Sequence, residues 1–114
     1  RAIVAAYRGA FAGEEALELP AERPDVRHAW HLFVLRLRPG VLRVGRGQFV
    51  RELAARNIGT SVHFIPIHLH PYYRGRYGFA PADFPVAFGN YRRALSLPLT
   101  PALSDGDVAD VIHA

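Results

Sequence analysis

The spacing of apolar residues predicts four short helices. In each of four segments, apolar side chains recur three or four residues apart, which places them on one face of a helix. These apolar stripes are Ile3, Val4, Tyr7 and Phe11, then Phe49, Val50, Leu53 and Ala54, then Phe84, Phe88, Tyr91 and Leu95, and finally Val108, Val111 and Ile112. We therefore expect four amphipathic helices that contribute their apolar faces to one core.

Residues at the ends of these segments indicate where the helices begin and end. Asn57 tolerates a positive φ and is expected to end the second helix. Asp83 and Pro85 suit the first turn of the third helix, and Ser104–Asp107 has the pattern of a capping box before the fourth. The second helix has a weaker start, because Gly45 stands where a Ser or Asp cap would be better.

Three runs of branched and aromatic residues predict strands. The first covers residues 28–37 and is apolar on both alternating faces from Trp30 to Leu35, so both sides of the sheet are expected to be covered, in part by residues outside this chain. The second covers residues 60–65, and the third covers 96–99, where Pro98 confines it to a sheet edge. Residues 66–85 are expected to form a loop with one helical turn. The order predicts an α/β fold of the two-layer α+β type, with a small antiparallel or mixed sheet of about three strands packed with helices.

Composition narrows the possible chemistry. The 114 residues suit one domain and include no cysteine, which excludes thiolate chemistry and favours a cytoplasmic location. All 14 basic residues are arginine, so the chain cannot form a Schiff base with a lysine amine. No stretch is apolar enough to span a membrane. The net charge of +4 permits nucleic-acid binding, but the arginines are scattered, so we expect a solvated surface and no nucleic-acid partner.

Three of the six histidines, His63, His68 and His70, lie within eight residues. If residues 68–70 are extended, His68 and His70 face the same side, as a two-histidine metal clamp requires, with His63 or Asp83 as a third ligand. The segment contains no acid to orient the imidazoles. The histidines could equally be hydrogen-bonding residues of a loop.

A third interpretation is a ligand pocket. The histidines are followed by Tyr72, Tyr73 and Arg74. Imidazole and phenol groups pair with hydroxyls, aromatic faces pack on sugar rings, and guanidinium groups bind phosphate oxygens. This combination suits a polyhydroxylated, phosphate-bearing ligand.

Six separated motifs extend over nearly the whole chain. They are His-Ala-Trp-His-Leu-Phe at 28–33, Asn-Ile-Gly-Thr-Ser-Val-His-Phe-Ile-Pro-Ile-His at 57–68, Pro-Tyr-Tyr at 71–73, Phe-Pro-Val-Ala at 84–87, Leu-Ser-Leu-Pro-Leu at 95–99, and Leu-Ser-Asp with Asp-Val at 103–108. In their order and approximate spacing these motifs resemble the C-terminal part of the DegT and StrS group of sugar-nucleotide aminotransferases.

The resemblance implies that residues 1–114 are the small C-terminal domain of a fold-type-I transferase that uses pyridoxal 5'-phosphate. The large domain, which would bind most of the cofactor and carry the Schiff-base lysine, would lie outside the chain. The implied reaction moves an amino group from glutamate to a nucleotide-linked keto-sugar, as in polysaccharide biosynthesis. The full-length enzyme is expected to be a homodimer, and the chain alone is expected to be inactive.

The same resemblance assigns roles to individual residues. His63 matches a family histidine near the cofactor and the sugar, and is expected to contact the substrate. His68, Tyr72 and Tyr73 match the following loop and are expected to shape the sugar pocket. Arg74 is either a phosphate neighbour or a surface residue. No catalytic, cofactor-binding or metal-binding residue of this chain is implied. The alternative function is a stand-alone metal or ligand-binding module based on the three clustered histidines.

Overall fold

Three short strands form an antiparallel sheet, and five helices surround it. The computed structural model describes residues 1–114. The elements are α1 (Ala2–Phe11), β1 (Leu17–Glu18), β2 (Phe33–Leu37), α2 (Arg46–Ala55), α3 (Pro71–Tyr77), α4 (Pro85–Arg93), β3 (Ala94–Leu97) and α5 (Asp105–His113). The strand order is β1-β2-β3, and both pairs are antiparallel. The predicted α+β class is confirmed, in its antiparallel form. No helix is both long and apolar enough to cross a membrane.

The core lies between the inner face of the sheet and the helices. Tyr7, Phe33, Leu35 and Leu95 are fully buried there, which unites α1 with the two longer strands. The apolar stripe of α5 adds Val108 and its neighbours to the same cluster, and α5 packs directly against α1. The helical periodicity of the sequence therefore marks the side chains that fill this core.

The first strand is shorter than predicted. Trp30 has a positive φ of 51°, and its backbone N–H donates to His28 Nδ1 over 2.8 Å, so the chain turns before the strand begins. Alternate residues of Phe33–Leu37 are buried, whereas Val34 and Arg36 are only half-buried. Within residues 1–114 one face of the strand is therefore buried and the other is only partly covered, so full cover of the second face stays a prediction.

The predicted strand at residues 60–65 does not form, apart from one isolated bridge between Ser61 and Ser96. Two of the N–H groups that would extend its ladder from that bridge are not available. On one side the next hydrogen-bonding partner would be Pro98, which has no N–H. On the other side it would be Ala94, whose N–H already donates to the carbonyl of Asn90 at the end of α4.

The segment 66–85 is more helical than predicted. It contains two single-turn 3₁₀ helices, Ile67–Leu69 and Pro81–Asp83, on either side of α3. Asp83 does not cap α4. Instead its Oδ2 accepts a hydrogen bond of 2.8 Å from the N–H of Ala80.

Most predicted helix ends are confirmed. Asn57 has a φ of 62° just after α2, and α2 starts at Gly45 without a side-chain cap. The N–H of Asp107 donates to Ser104 Oγ over 3.2 Å, and Asp107 Oδ2 accepts from the N–H of Ser104 over 2.8 Å, which is the predicted capping box. The last residue of the third stripe, Leu95, belongs to β3 rather than to α4, and β1 was not predicted.

Candidate functional site

An apolar cavity of about 540 Å³ lies beside α3, within the size range of small-molecule sites. It is enclosed by the segment in which the sequence places its candidate residues. Its lining residues are Pro66, Ile67, His68, Tyr73, Tyr77, Phe79, Phe84 and Ala87. The structure therefore brings His68 and Tyr73 into one cavity.

Proline and glycine at the two ends of α3 shape this cavity. Pro71 occupies the first turn of the helix, where its missing N–H costs no hydrogen bond. Gly78 ends the helix with a φ of 72°, a left-handed conformation that reverses the chain. The reversal brings Phe79 back onto Tyr77, with 5.4 Å between the ring centroids, and places Phe79 edge-on to Phe84 at 5.2 Å.

His68 lines the cavity from a buried position. Its side chain is buried, and its ring lies 4.7 Å from that of Phe84. Nε2 of His68 is buried without a hydrogen-bond partner. Buried polar atoms are nearly always paired in folded proteins, so this nitrogen is one that the chain itself leaves without a partner.

The two tyrosines predicted to shape the sugar pocket differ in their exposure and in their position relative to the cavity. Tyr73 lines the cavity and is 38% exposed. Tyr72 is 70% exposed and lies outside the lining, with its ring perpendicular to that of Tyr73 at 5.2 Å. Arg74 is exposed on α3 and takes part in no ion pair.

His63 lies on the edge of the sheet, outside the cavity lining. Its Nε2 is 2.9 Å from Ser96 Oγ, and Ser96 Oγ in turn donates to the carbonyl of Ser61 over 3.3 Å. With the serine proton donated to Ser61, the serine oxygen accepts from His63 Nε2–H. In this arrangement Nδ1 of His63 takes no part in the bond to Ser96.

The structure gives no support to a metal site. Residues 67–69 form a 3₁₀ turn rather than an extended segment, so the condition for a clamp by His68 and His70 is not met. His68 is buried, whereas His70 is exposed and donates from Nε2 to the carbonyl of Ile65 over 3.1 Å. No group of three or more metal-ligating side chains occurs in the protein.

Sequence reasoning missed three aromatic residues of the cavity: Tyr77, Phe79 and Phe84. The signal was the concentration of aromatic residues between positions 72 and 84. Interpreted as an irregular loop, that segment gave no indication that the rings converge. Their convergence depends on α3 and on the left-handed Gly78 that follows it.

A large apolar surface accompanies the cavity. Contiguous apolar patches on isolated domains commonly mark contact surfaces. The exposed apolar residues of this part of the chain are Val62 (36%), Phe64 (77%), Ile65 (52%), Ile67 (66%), Tyr72 (70%), Tyr73 (38%), Tyr77 (60%), Phe84 (42%) and Val86 (76%).

The family of the chain is established by comparison with known proteins. The model of the DegT/DnrJ/EryC1/StrS aminotransferase family matches residues 1–114. The chain belongs to this family. The resemblance described from the sequence motifs is thereby confirmed.

Individual relatives agree with this assignment. The spore coat polysaccharide biosynthesis protein SpsC of Bacillus subtilis is 49% identical over 113 residues, which are 98% of this chain and 29% of SpsC. The crystal structure of S. venezuelae DesV, in complex with a ketimine intermediate, superimposes with a TM-score of 0.86 at 34% identity and covers 98% of this chain and 29% of DesV. The PLP form of Spr1654 from Streptococcus pneumoniae, which is described as a sugar aminotransferase, superimposes with a TM-score of 0.86 at 29% identity. The match covers 98% of this chain and 28% of Spr1654.

The chain thus spans less than a third of the length of these relatives, 28% or 29%. Spr1654 is known in both PLP and PMP forms, so the family uses pyridoxal phosphate. The residues of this chain do not fit covalent attachment of that cofactor, because the chain contains no lysine.

Proposed function

We propose that residues 1–114 are the small C-terminal domain of a pyridoxal-phosphate-dependent aminotransferase, which moves an amino group from glutamate to a nucleotide-linked keto-sugar. The observation that carries the proposal is the family match over all 114 residues. The identity of 49% with a polysaccharide biosynthesis protein supports a sugar as the acceptor. A cytoplasmic location is part of the same proposal.

In this proposal the large domain, outside the chain, attaches the cofactor. Pyridoxal phosphate supplies the electron sink that amino transfer requires. The chain has no lysine and so contributes only binding and shape. We therefore expect the 114-residue chain by itself to be inactive.

His63 is proposed as a substrate contact. Its hydrogen bond to Ser96 orients the ring, because Ser96 is buried on β3 and cannot move freely. Nδ1, which takes no part in that bond, can then accept a hydrogen bond from a hydroxyl group of the sugar. Ser96 is thus a positioning residue for His63.

His68, Tyr73 and Tyr72 are proposed to shape the sugar pocket. His68 contributes its buried ring to the wall of the apolar cavity, and Tyr73, which also lines the cavity, offers a ring face and a hydroxyl. Aromatic faces pack well against sugar rings and exclude water from the hydroxyl contacts. Tyr72, which is more exposed, would contact the outer part of the substrate.

The exposed apolar surface around the cavity is proposed to be covered in the full-length protein. Phe64 and Val86 are the most exposed of its residues, at 77% and 76%. Such exposure is unfavourable in water, at roughly 25 cal/mol per Å² of apolar surface. Contact with the large domain, or with the second subunit of a homodimer, would remove this cost.

The full-length protein that carries this chain provides the test. Glutamate and nucleotide-linked keto-sugars are supplied, and 2-oxoglutarate formation is measured. We expect turnover, and we expect His63→Ala to lower kcat/KM about tenfold through loss of one hydrogen bond to the substrate. His31→Ala is the matched control, because His31 is exposed and makes no hydrogen bond; its kcat/KM should be unchanged.

Two results would contradict the proposal. Absence of turnover by the full-length protein with every keto-sugar would refute the assigned reaction. Equal kcat/KM for His63→Ala and His31→Ala would remove His63 from the substrate site while leaving the reaction intact.

A further inference from the structure

A second cavity, of about 480 Å³, is lined by five arginines from two stretches of the chain, residues 37–46 and 89–93. Arg38 follows β2, Arg43 lies in the next loop, Arg46 is the first residue of α2, and Arg92 and Arg93 end α4. None of its lining residues belongs to the aromatic cavity, and no Asp or Glu lines it. The charge is therefore concentrated around one concave space.

Most of this charge is not neutralised within the protein. Arg93 pairs with Glu18 over 3.3 Å, and the same carboxylate also pairs with Arg36 of β2. The other four arginines of the cavity form no ion pair with any carboxylate. Several like charges around one cavity repel each other, and a bound anion relieves that repulsion.

Two of the arginines are held in place. Arg46 Nη1 donates to the carbonyl of Tyr91 over 2.7 Å, and the guanidinium lies 4.9 Å from the centre of the Tyr91 ring. The guanidinium of Arg92 lies 5.8 Å from the centre of the Phe88 ring. Such contacts reduce the conformational entropy that these side chains lose when a ligand binds.

Backbone groups add to the positive potential. Gly45 is the N-cap of α2, has no side chain to accept from the helix, and lines the cavity. The N–H groups of Arg46 and Gly47 find no acceptor within the chain, and the first turn contains no acid. A Cβ atom at Gly45 or at Gly89 would meet nothing within 4 Å, so the backbone on both walls is open to a ligand.

We propose that this cavity binds the phosphate groups of a small phosphorylated molecule, for which inorganic pyrophosphate is the probe. Guanidinium groups bind phosphate oxygens in pairs of parallel hydrogen bonds, and the helix N-terminus adds N–H donors to the same space. The cavity volume suits a small molecule rather than a protein surface. The proposal is independent of the proposed enzymatic function.

Titration of the 114-residue chain with inorganic pyrophosphate by calorimetry, at near-physiological salt, tests the proposal. Saturable binding of one pyrophosphate per chain is expected. The double variant Arg43→Gln/Arg92→Gln should weaken binding at least about tenfold, since two charge-assisted contacts are lost. The matched control is Arg27→Gln/Arg51→Gln, which removes the same charge from exposed arginines outside the cavity. This control should bind pyrophosphate almost as well as the unmodified chain.

A third variant separates binding from folding. Gly45→Asp adds a preferred N-cap residue to α2, so the chain should unfold at a higher temperature. Its carboxylate also enters the cavity, so pyrophosphate binding should weaken at least about tenfold. A more stable protein that binds less pyrophosphate cannot be explained by loss of structure.

Three results would overturn the proposal. One is the absence of saturable pyrophosphate binding. Another is equal weakening by the two arginine double variants, which would show that net charge alone attracts the anion. The third is binding of a single-stranded RNA oligonucleotide through the same arginines without any binding of pyrophosphate, which would indicate an extended polyanion surface instead.

Discussion

Tyr7 connects the first helix to the far end of the chain, and replacing Tyr7 with phenylalanine isolates one hydrogen bond. The ring of Tyr7 is fully buried and lies 5.3 Å from that of Phe33, a contact that the variant keeps. Only the hydroxyl is lost, which donates to the carbonyl of Pro98 over 3.0 Å. The stability difference between the two proteins therefore measures this bond between segments 91 residues apart.

The size of the effect follows from the surroundings of the bond. A typical intramolecular hydrogen bond contributes about 1 kcal/mol to the free energy of unfolding. Pro98 is half-buried, so water can reach its carbonyl in the variant and the loss should not exceed this value by much. For a domain of this size, a loss of about 1 kcal/mol lowers the midpoint of thermal unfolding by roughly 5 °C.

The pH dependence gives an independent check. Burial raises the pKa of the Tyr7 phenol above its ordinary value of 10.0. Above pH 10 the unfolded chain therefore ionises first, and the stability associated with the protonated phenol declines as pH rises toward the folded-state pKa. The phenylalanine variant has no such group. The difference in free energy of unfolding between the unmodified protein and the phenylalanine variant should therefore become smaller above pH 10.

Urea unfolding of both proteins at neutral pH and above pH 10 is the assay. Tyr72→Phe is the matched control, because it removes the same atom from a side chain that is 70% exposed. The control should change stability by less than about 0.5 kcal/mol. Equal effects of the two substitutions, or a Tyr7→Phe effect independent of pH, would refute this account of the buried hydroxyl.

Four further substitutions test the backbone and the core by urea unfolding. Gly89→Ala, in the interior of α4 with open space around it, should raise the free energy of unfolding by roughly 0.5–1 kcal/mol. Gly78→Ala, at a φ of 72°, should lower the free energy of unfolding by about 1 kcal/mol. A stabilising effect of Gly78→Ala would contradict the left-handed helix end. Leu95→Ala should lower the free energy of unfolding by about 2–5 kcal/mol, because the side chain is fully buried, and a loss below about 1 kcal/mol would show that the site is not core. Ser104→Ala should lower it by about 1 kcal/mol. Hydrogen bonds from Ser104 hold the pKa of Asp107 below its ordinary 3.8, so the part of the capping box that the carboxylate contributes should be present at neutral pH and lost as pH falls below about 3.8. The bond from the N–H of Asp107 to Ser104 Oγ remains in acid, so the effect of Ser104→Ala should become smaller there without vanishing; an effect that is equally large in strong acid would argue against the role of the carboxylate.

Local interactions explain why much of the helical structure could be predicted. The capping box of Ser104 and the helix end at Asn57 depend on residues within four positions of each other, and both are found where the sequence indicates. The candidate residues His68 and Tyr73 were selected by family resemblance, and they meet in one cavity. Their role toward a substrate stays a prediction.

Non-local partners explain what could not be predicted. Residues 60–65 have the composition of a strand, but the strand they would pair with offers no free N–H on either side of Ser96. No pattern among neighbouring residues could reveal that these N–H groups are not free, because their availability depends on the end of α4 and on Pro98.

The sequence by itself determined four of the five α-helices, the absence of lysine and the motifs of the family, since each is a property of neighbouring residues or of composition. Only the tertiary structure decided which side chains meet. The arginines are scattered along the sequence, yet five of them surround one cavity, because the end of β2, the start of α2 and the end of α4 lie side by side. The aromatic rings after Pro71 likewise form a cavity only because the chain reverses at Gly78. Charge and apolar surface act through distances in space, and those distances are set by the fold.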